Sequence, residues 1–329
     1  MGMMRQVRVV ALGGGTGLPA LLAALKPEPT TPAGETFDLT AIVTVADDGG
    51  SSGRIRREMG LLAPGDIRNC LIALSDAPEI LRRLFQYRFT QGELEGHSFG
   101  NLFIAALAEV SGDFAGAISH LHDILAIRGR IFPSTPDDIH LVAELEDGSV
   151  VRGEAAITRS APPVRRVHLE PSDCRALPAA GEALRNADLV LLGPGSLYTS
   201  VLPNLLVAEL AEALRSCRGR KVYLCNLTTQ PGETDGYRAS EHLSALRSHI
   251  GPWVCDTVLC NCTPLPPGLQ EQYSKEMARP VEVDLPQLHA LGVRVVCADL
   301  LSPGAYARHD PEKLRIQLVR LARSTVEAA

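Results

Sequence analysis

Apolar and polar positions along the chain fall into blocks that alternate between two periods. VRVVALGGG (7–15) is apolar until it ends in glycines, and TGLPALLAALK (16–26) then places its leucines at helical spacing. A Pro/Thr-rich loop at 27–36 leads into a second apolar run, DLTAIVTVA, at 38–46. Strand, glycine turn, helix and strand in that order make a βαβ unit, which implies a parallel sheet. GDIRNCLIALSD (65–76) opens another helix, with Asp66 expected as its N-cap.

The pattern changes after residue 77. Residues 78–128 read as helices, including FGNLFIAALAEVSG at 99–112, and predict a helical cap beside the sheet. DDIHLVAELEDGSVVRGEAAIT (137–158) alternates on both sides of Asp147-Gly148, which predicts an antiparallel hairpin at the sheet edge. Parallel signals then return. ADLVLLGPGSLYTS (187–200) runs from a buried strand into a second glycine turn, NLLVAELAEALRS (204–216) is amphipathic, and KVYLCNL (221–227) is the next strand. WVCDTVLCN (253–261) and VRVVCADLL (293–301) add two more strands. Asp310 and Pro311 open a closing helix as cap and first helical residue. The pattern predicts one α/β domain over 1–329, with a mostly parallel sheet, helices on both faces, a core at 5–77 and 160–329, and a helical and hairpin subdomain at about 78–159.

Composition narrows the function. With 329 residues and 45% hydrophobic content, the chain carries a full core, and a net charge of −6 argues against a nucleic-acid partner. No apolar run approaches the roughly 20 residues of a membrane span. The start, MGMMRQ, passes directly into a strand without a signal-peptide pattern, so a cytoplasmic location is expected. None of the eight cysteines forms a Cys-x-x-Cys pair. Cys260 and Cys262 lie two apart in what reads as a buried strand, where inert packing outweighs zinc or a disulfide.

Four loops fall at the carboxyl ends of predicted parallel strands, where ligands bind in open α/β sheets. In the first, Gly14, Gly15, Thr16 and Gly17 let backbone N–H groups approach a phosphate at a helix start. Leu18 replaces the last glycine of a dinucleotide fingerprint, so a tight turn without ligand stays open, and a nicotinamide-dependent dehydrogenase is disfavoured. In the third, Gly193 and Gly195 repeat the device with the hydroxyls of Ser196, Thr199 and Ser200 added, although Ser196 also suits a helix cap. Asp47 and Asp48 end the second strand and fit either a ribose or Mg²⁺. Asp48 with Asp66 makes a two-carboxylate metal set, and Arg54, Arg56 and Arg57 follow as a solvated face or a phosphate contact. His97 and Asn101 flank a helix start at Ser98 and suit contact with a ligand's sugar or base. Thr229, Gln230, Glu233 and Asp235 crowd one polar loop and suit a sugar or a base.

The segments ALGGGTGLPALLAAL, TVADDGGSSGRIRREMGLLAPGDIRNCLIALSD, GHSFGNLFIAAL, LGPGSLYTSVLPNLLV and TQPGETDGY together resemble the CofD-like superfamily, and within it the gluconeogenesis-factor (YvcK-like) branch. The resemblance runs from near residue 7 to RHDPEKL, and the long motifs are specific where GGGTG alone is not. It implies a Rossmann-like core with a small helical subdomain. It also implies a cytoplasmic regulatory protein tied to cell shape and cell-wall precursor supply during gluconeogenic growth. Relatives in this branch bind uridine diphosphate sugars such as UDP-N-acetylglucosamine. The cousin 2-phospho-L-lactate transferase is a Mg²⁺-dependent enzyme of coenzyme F420 synthesis that moves a phospholactyl unit from a guanosine diphosphate donor. Carried over, its metal-holding acids match Asp47 or Asp48, and Asp66, while GGGTG and GPGS match nucleotide-phosphate turns. Residues 78–135 show no match to its deazaflavin pocket. The expectation is therefore a nucleotide-sugar-binding regulator with protein partners and a homodimeric state, or alternatively a Mg²⁺-dependent transferase.

Overall fold

The computed structural model describes residues 6–26, 36–160 and 162–326, so the loop expected at 27–36 lies almost wholly outside the described residues. Ten strands are described: β1 (Gln6–Gly13), β2 (Thr36–Val43), β3 (Arg130–Pro133), β4 (His140–Leu145), β5 (Val150–Arg152), β6 (Val164–Glu170), β7 (Leu189–Leu192), β8 (Arg220–Leu224), β9 (Thr257–Asn261) and β10 (Arg294–Ala298). Among the described residues, seven of them form one sheet in the order β10-β9-β8-β7-β1-β2-β3, every pairing in it parallel.

That order places the site. From β1 the chain builds outward through β2 to β3, then returns to the other side of β1 and builds outward from β7. The strand order reverses between β1 and β7, and a crevice opens outside the carboxyl ends of those two strands. Both glycine turns stand there, because each follows one of the two central strands.

Local chemistry explains the elements beside the crevice. Helix Gly17–Leu25 buries Leu18, Leu21, Leu22 and Leu25, the apolar stripe of one helical face against the sheet. β1 and β7 are buried along almost their whole length, as strands covered on both faces must be. Helix Gly65–Leu74 begins one residue before Asp66, with Pro64 in the cap position. The expected capping role of Asp66 is thereby corrected: its carboxylate sits in the first turn and reaches out of the helix.

Two further expectations meet a different arrangement. The hairpin around Asp147-Gly148 forms as an antiparallel pair of β4 and β5, but β6 pairs along the other side of β4 in a separate three-stranded sheet. That edge of the main sheet belongs instead to β3, a four-residue strand between the segment expected to be helical and the hairpin. Around it, helices Glu79–Gln86, Phe99–Ser111 and Phe114–Ile124 form the cap, with Phe85 packed against Phe99 and Phe103 at ring separations of 6.2 and 5.2 Å. Phe85, Ile104 and Leu141 join the same hydrophobic cluster as β1 and β7, so cap, hairpin and sheet share one core. Among the described residues, no single helix is long and apolar enough to cross a membrane.

Candidate functional site

The two glycine turns touch. A Cβ on Gly17 would lie 2.3 Å from the Pro194 carbonyl oxygen and 3.0 Å from the Gly195 nitrogen, contacts that only a residue without a side chain permits. Each turn is then braced from outside. Gly15 holds a left-handed backbone (φ +60°) and donates its N–H to Asp66 Oδ2 at 2.7 Å. Asn226, just past β8, clasps Gly195 twice: its Oδ1 accepts the Gly195 N–H at 3.1 Å, and its Nδ2 donates to the Gly195 carbonyl at 3.0 Å. Gln230 Nε2 donates to Ser196 Oγ at 2.5 Å.

Between these walls lies a cavity of about 620 Å³, within the range of small-molecule sites. Gly15, Thr16, Gly17, Gly195, Ser196 and Gln230 line it, as anticipated for both turns and the 228–237 loop. Ser200 lines it too, as expected of the second turn's hydroxyls, and so do Asn226, Thr228, Asn69, Arg308 and His309, none of which is among the expected site residues. Arg308 brings a cation, its guanidinium carbon 5.6 Å from the centre of the Tyr306 ring. Burial pushes the His309 imidazole down to about 4 while the Cys225 carbonyl accepts one of its ring protons, so the ring is neutral and its Nε2 has no partner.

Other expected site residues sit behind the cavity rather than in it. Thr199 Oγ1 donates to Glu233 Oε1 at 3.1 Å, and Thr158 reaches the same oxygen at 3.4 Å. The Thr229 hydroxyl accepts the Arg279 N–H at 3.0 Å, and Asp235 accepts the Gly232 N–H at 2.8 Å, so both fix the loop's shape. His97 is buried with Nδ1 3.1 Å from Ser51 Oγ, and Asn101 accepts from Arg68 at 3.0 Å. Asp47 accepts its own turn's Gly49 N–H at 2.8 Å. Asp48 accepts the Ala155 N–H at 2.9 Å and faces the segment that follows β5. Gly15 and Ser196 thus share one cavity, while Asp48 looks into a neighbouring compartment.

That compartment is acidic. Burial, followed by the charges of Asp47, Asp66, Glu233 and Asp48, pushes the Glu154 carboxyl up to about 9. Burial also raises Glu233 to about 7, against the pull of its Thr199 and Thr158 hydrogen bonds, and Asp66 to about 6, against the Gly15 N–H. Glu154 Oε2 and Glu233 Oε2 are buried without a partner. Asp66 belongs to both places, since its carboxylate joins this acidic group and holds the first glycine turn. Among the described residues, no three His, Cys, Asp or Glu side chains are arranged to close on a metal ion.

These features define a doubly wound α/β protein with two opposed glycine turns at its topological switch point. The chain belongs to the CofD family: the family's sequence profile, described as 2-phospho-L-lactate transferase CofD, matches residues 9–301. The chain is 48% identical over 294 residues to a gluconeogenesis factor of Halalkalibacterium halodurans, covering 89% of each chain. It is 44% identical over 321 residues to that of Bacillus subtilis, covering 97% of this chain and 99% of the relative. A crystal structure of a UPF0052-family protein from Bacillus halodurans superposes with a TM-score of 0.92 at 45% identity, over 96% of this chain and all of the other.

Proposed function

We propose that this protein is a gluconeogenesis factor that binds a nucleotide diphosphate sugar, of the UDP-N-acetylglucosamine kind, between its two glycine turns. The observation that carries this reading is the approach of Gly17 to the Pro194 carbonyl beside a 620 Å³ cavity. Backbone turns pressed that closely, at the start of helix Gly17–Leu25, leave the first N–H groups of the helix without partners inside it and turned toward an anion. Thr16, Ser196 and Ser200 add hydroxyls, and Arg308 adds charge for the diphosphate. Occupancy then reports precursor supply by shifting a surface, such as the helical cap, that partner proteins read. On this reading the protein works in the cytoplasm, as a homodimer, in the control of cell shape during gluconeogenic growth.

Titration calorimetry with UDP-N-acetylglucosamine, UDP, GDP and NAD, each with and without Mg²⁺, tests the proposal. Saturable binding of the uridine ligands is expected. Heats no larger than dilution for every uridine ligand would remove the reading.

The family profile and Asp66 favour a second reading, a transferase acting on a nucleotide diphosphate donor with Mg²⁺. Mg²⁺ commonly takes one or two carboxylates and completes its shell with phosphate oxygens and water. Asp66, in contact with the glycine turn, and Asp47 suit that sparse set. The ion would offset charge on the phosphates, and Asp66 would orient it. Turnover of a nucleotide diphosphate donor that disappears in Asp66→Asn would establish this reading. A donor left intact after long incubation with Mg²⁺ would leave the regulatory one.

A further inference from the structure

Of the eight cysteines, six are buried and two, Cys262 and Cys297, are exposed. Sequence spacing expected Cys262 to be packed away beside Cys260, but β9 ends at Asn261 and Cys262 lies just beyond it. β9 and β10 run parallel with Cys260 opposite Cys297. The pairing continues past the strand end, where the Cys262 N–H donates to the Ala298 carbonyl at 2.9 Å. Residues two apart on a strand project on the same face, so Cys262 stands on the side of the sheet that carries Cys297. Both thiols line a second cavity, of about 320 Å³, which shares Leu227 with the larger one. Burial first, and then a hydrogen bond with Cys297, push the Cys262 thiol up to about 12, so it stays protonated.

The geometry points to Cys262 and Cys297 as a modification site: an oxidisable thiol pair that a hydroperoxide converts to an intramolecular disulfide. Cys297, exposed on the cavity wall, is the nucleophile. Its sulfur attacks one peroxide oxygen, the O–O bond breaks, and the leaving oxygen departs as water with the thiol's proton, leaving a sulfenic acid on Cys297. The Cys262 sulfur then attacks Cys297 sulfur, an S–S bond forms, the S–O bond breaks, and the Cys262 proton leaves in a second water. Two thiols and one hydrogen peroxide give one disulfide and two waters, with two electrons passing from sulfur to oxygen. The other six thiols are closed off by burial, so the reaction is confined to this pair.

Reduced full-length protein exposed to hydrogen peroxide, then analysed by intact mass and a non-reducing tryptic map, tests the assignment. The expected product is about 2 Da lighter and joins peptide 248–275 to peptide 295–308, with fragmentation placing the bond at Cys262. Both Cys262→Ser and Cys297→Ser should abolish the cross-link, the first leaving Cys297 carrying added oxygen and the second leaving Cys262 unmodified. Wild-type protein that gains oxygen at either cysteine without the lighter species, links through Cys260, joins two chains, or stays unmodified would overturn the assignment. The wild-type map alone decides if either variant fails to fold.

Discussion

Asp66 accepts the backbone N–H of Gly15 at 2.7 Å, tying the first turn of helix Gly65–Leu74 to the glycine turn that follows β1. The contact is tight enough that a Cβ on Gly14 would lie 2.6 Å from the same carboxylate oxygen. One acid therefore shapes the first glycine turn and faces the acidic compartment beside it. In Asp66→Asn the side-chain carbonyl can still accept from Gly15, so the melting temperature should change little. Any Mg²⁺ enhancement of nucleotide affinity should vanish, and calorimetry at matched ionic strength reads this directly. Undiminished Mg²⁺ enhancement would show that Asp66 does not face the ion.

Gly17→Ala forces a methyl group against the Pro194 carbonyl, and neither backbone can swing aside as a flexible side chain would. Forced overpacking of this kind costs about 1–3 kcal/mol, so the urea midpoint should fall and uridine-ligand affinity with it. Gly268→Ala is the control, because a Cβ there meets nothing within 4 Å. It sits in a helix, where alanine is favoured over glycine by about 0.5–1 kcal/mol, so stability should hold or rise slightly. Equal losses in both variants would mean that the turn contact carries no special weight.

The Glu154 carboxyl sets a pH dependence. Its value in the fold, about 9, lies above the ordinary 4.5, so the folded state favours the protonated form. The stabilising contribution is fully present below about pH 4.5 and is lost progressively as pH rises toward about 9. Melting temperatures measured from about pH 5 to about pH 9 should therefore decline in the wild type and decline less in Glu154→Gln. Parallel curves would place the pH dependence elsewhere.

Arg308 is a cation on the cavity wall and is the proposed partner of a ligand phosphate. Hydrogen bonds to charged groups contribute about 1.5–3 kcal/mol, so Arg308→Ala should weaken nucleotide-sugar binding roughly ten- to hundredfold. Its side chain lies at the surface of the fold, and the circular dichroism spectrum should not change. Affinity that also loses its salt dependence would identify Arg308 as the main phosphate partner. Unaltered affinity would exclude it.

The sequence by itself determined the elements whose cause is local. The apolar runs of β1, β2 and β7 to β9 had to be buried strands, and Asp310 and Pro311 had to open a helix: Asp310 indeed accepts the Lys313 N–H at 3.0 Å. The two glycine turns were legible for the same reason, since a strand that ends in glycines before a helical repeat has few other ways to turn. Tertiary structure alone decided what those turns face. β3 is four residues long and ends in proline, too short to show a period, and is a strand only because β2 presents an open edge to it. Asn226 and Arg308 reach the cavity because strand order reverses between β1 and β7, which gathers segments about three hundred residues apart at one crevice. Thr199, Glu233 and Asp48 carried the right chemistry for a ligand, yet their hydrogen bonds go to partners from distant segments. Periodicity and turn residues act within a short window of chain, whereas the direction of a polar side chain depends on long-range pairing that no short window contains.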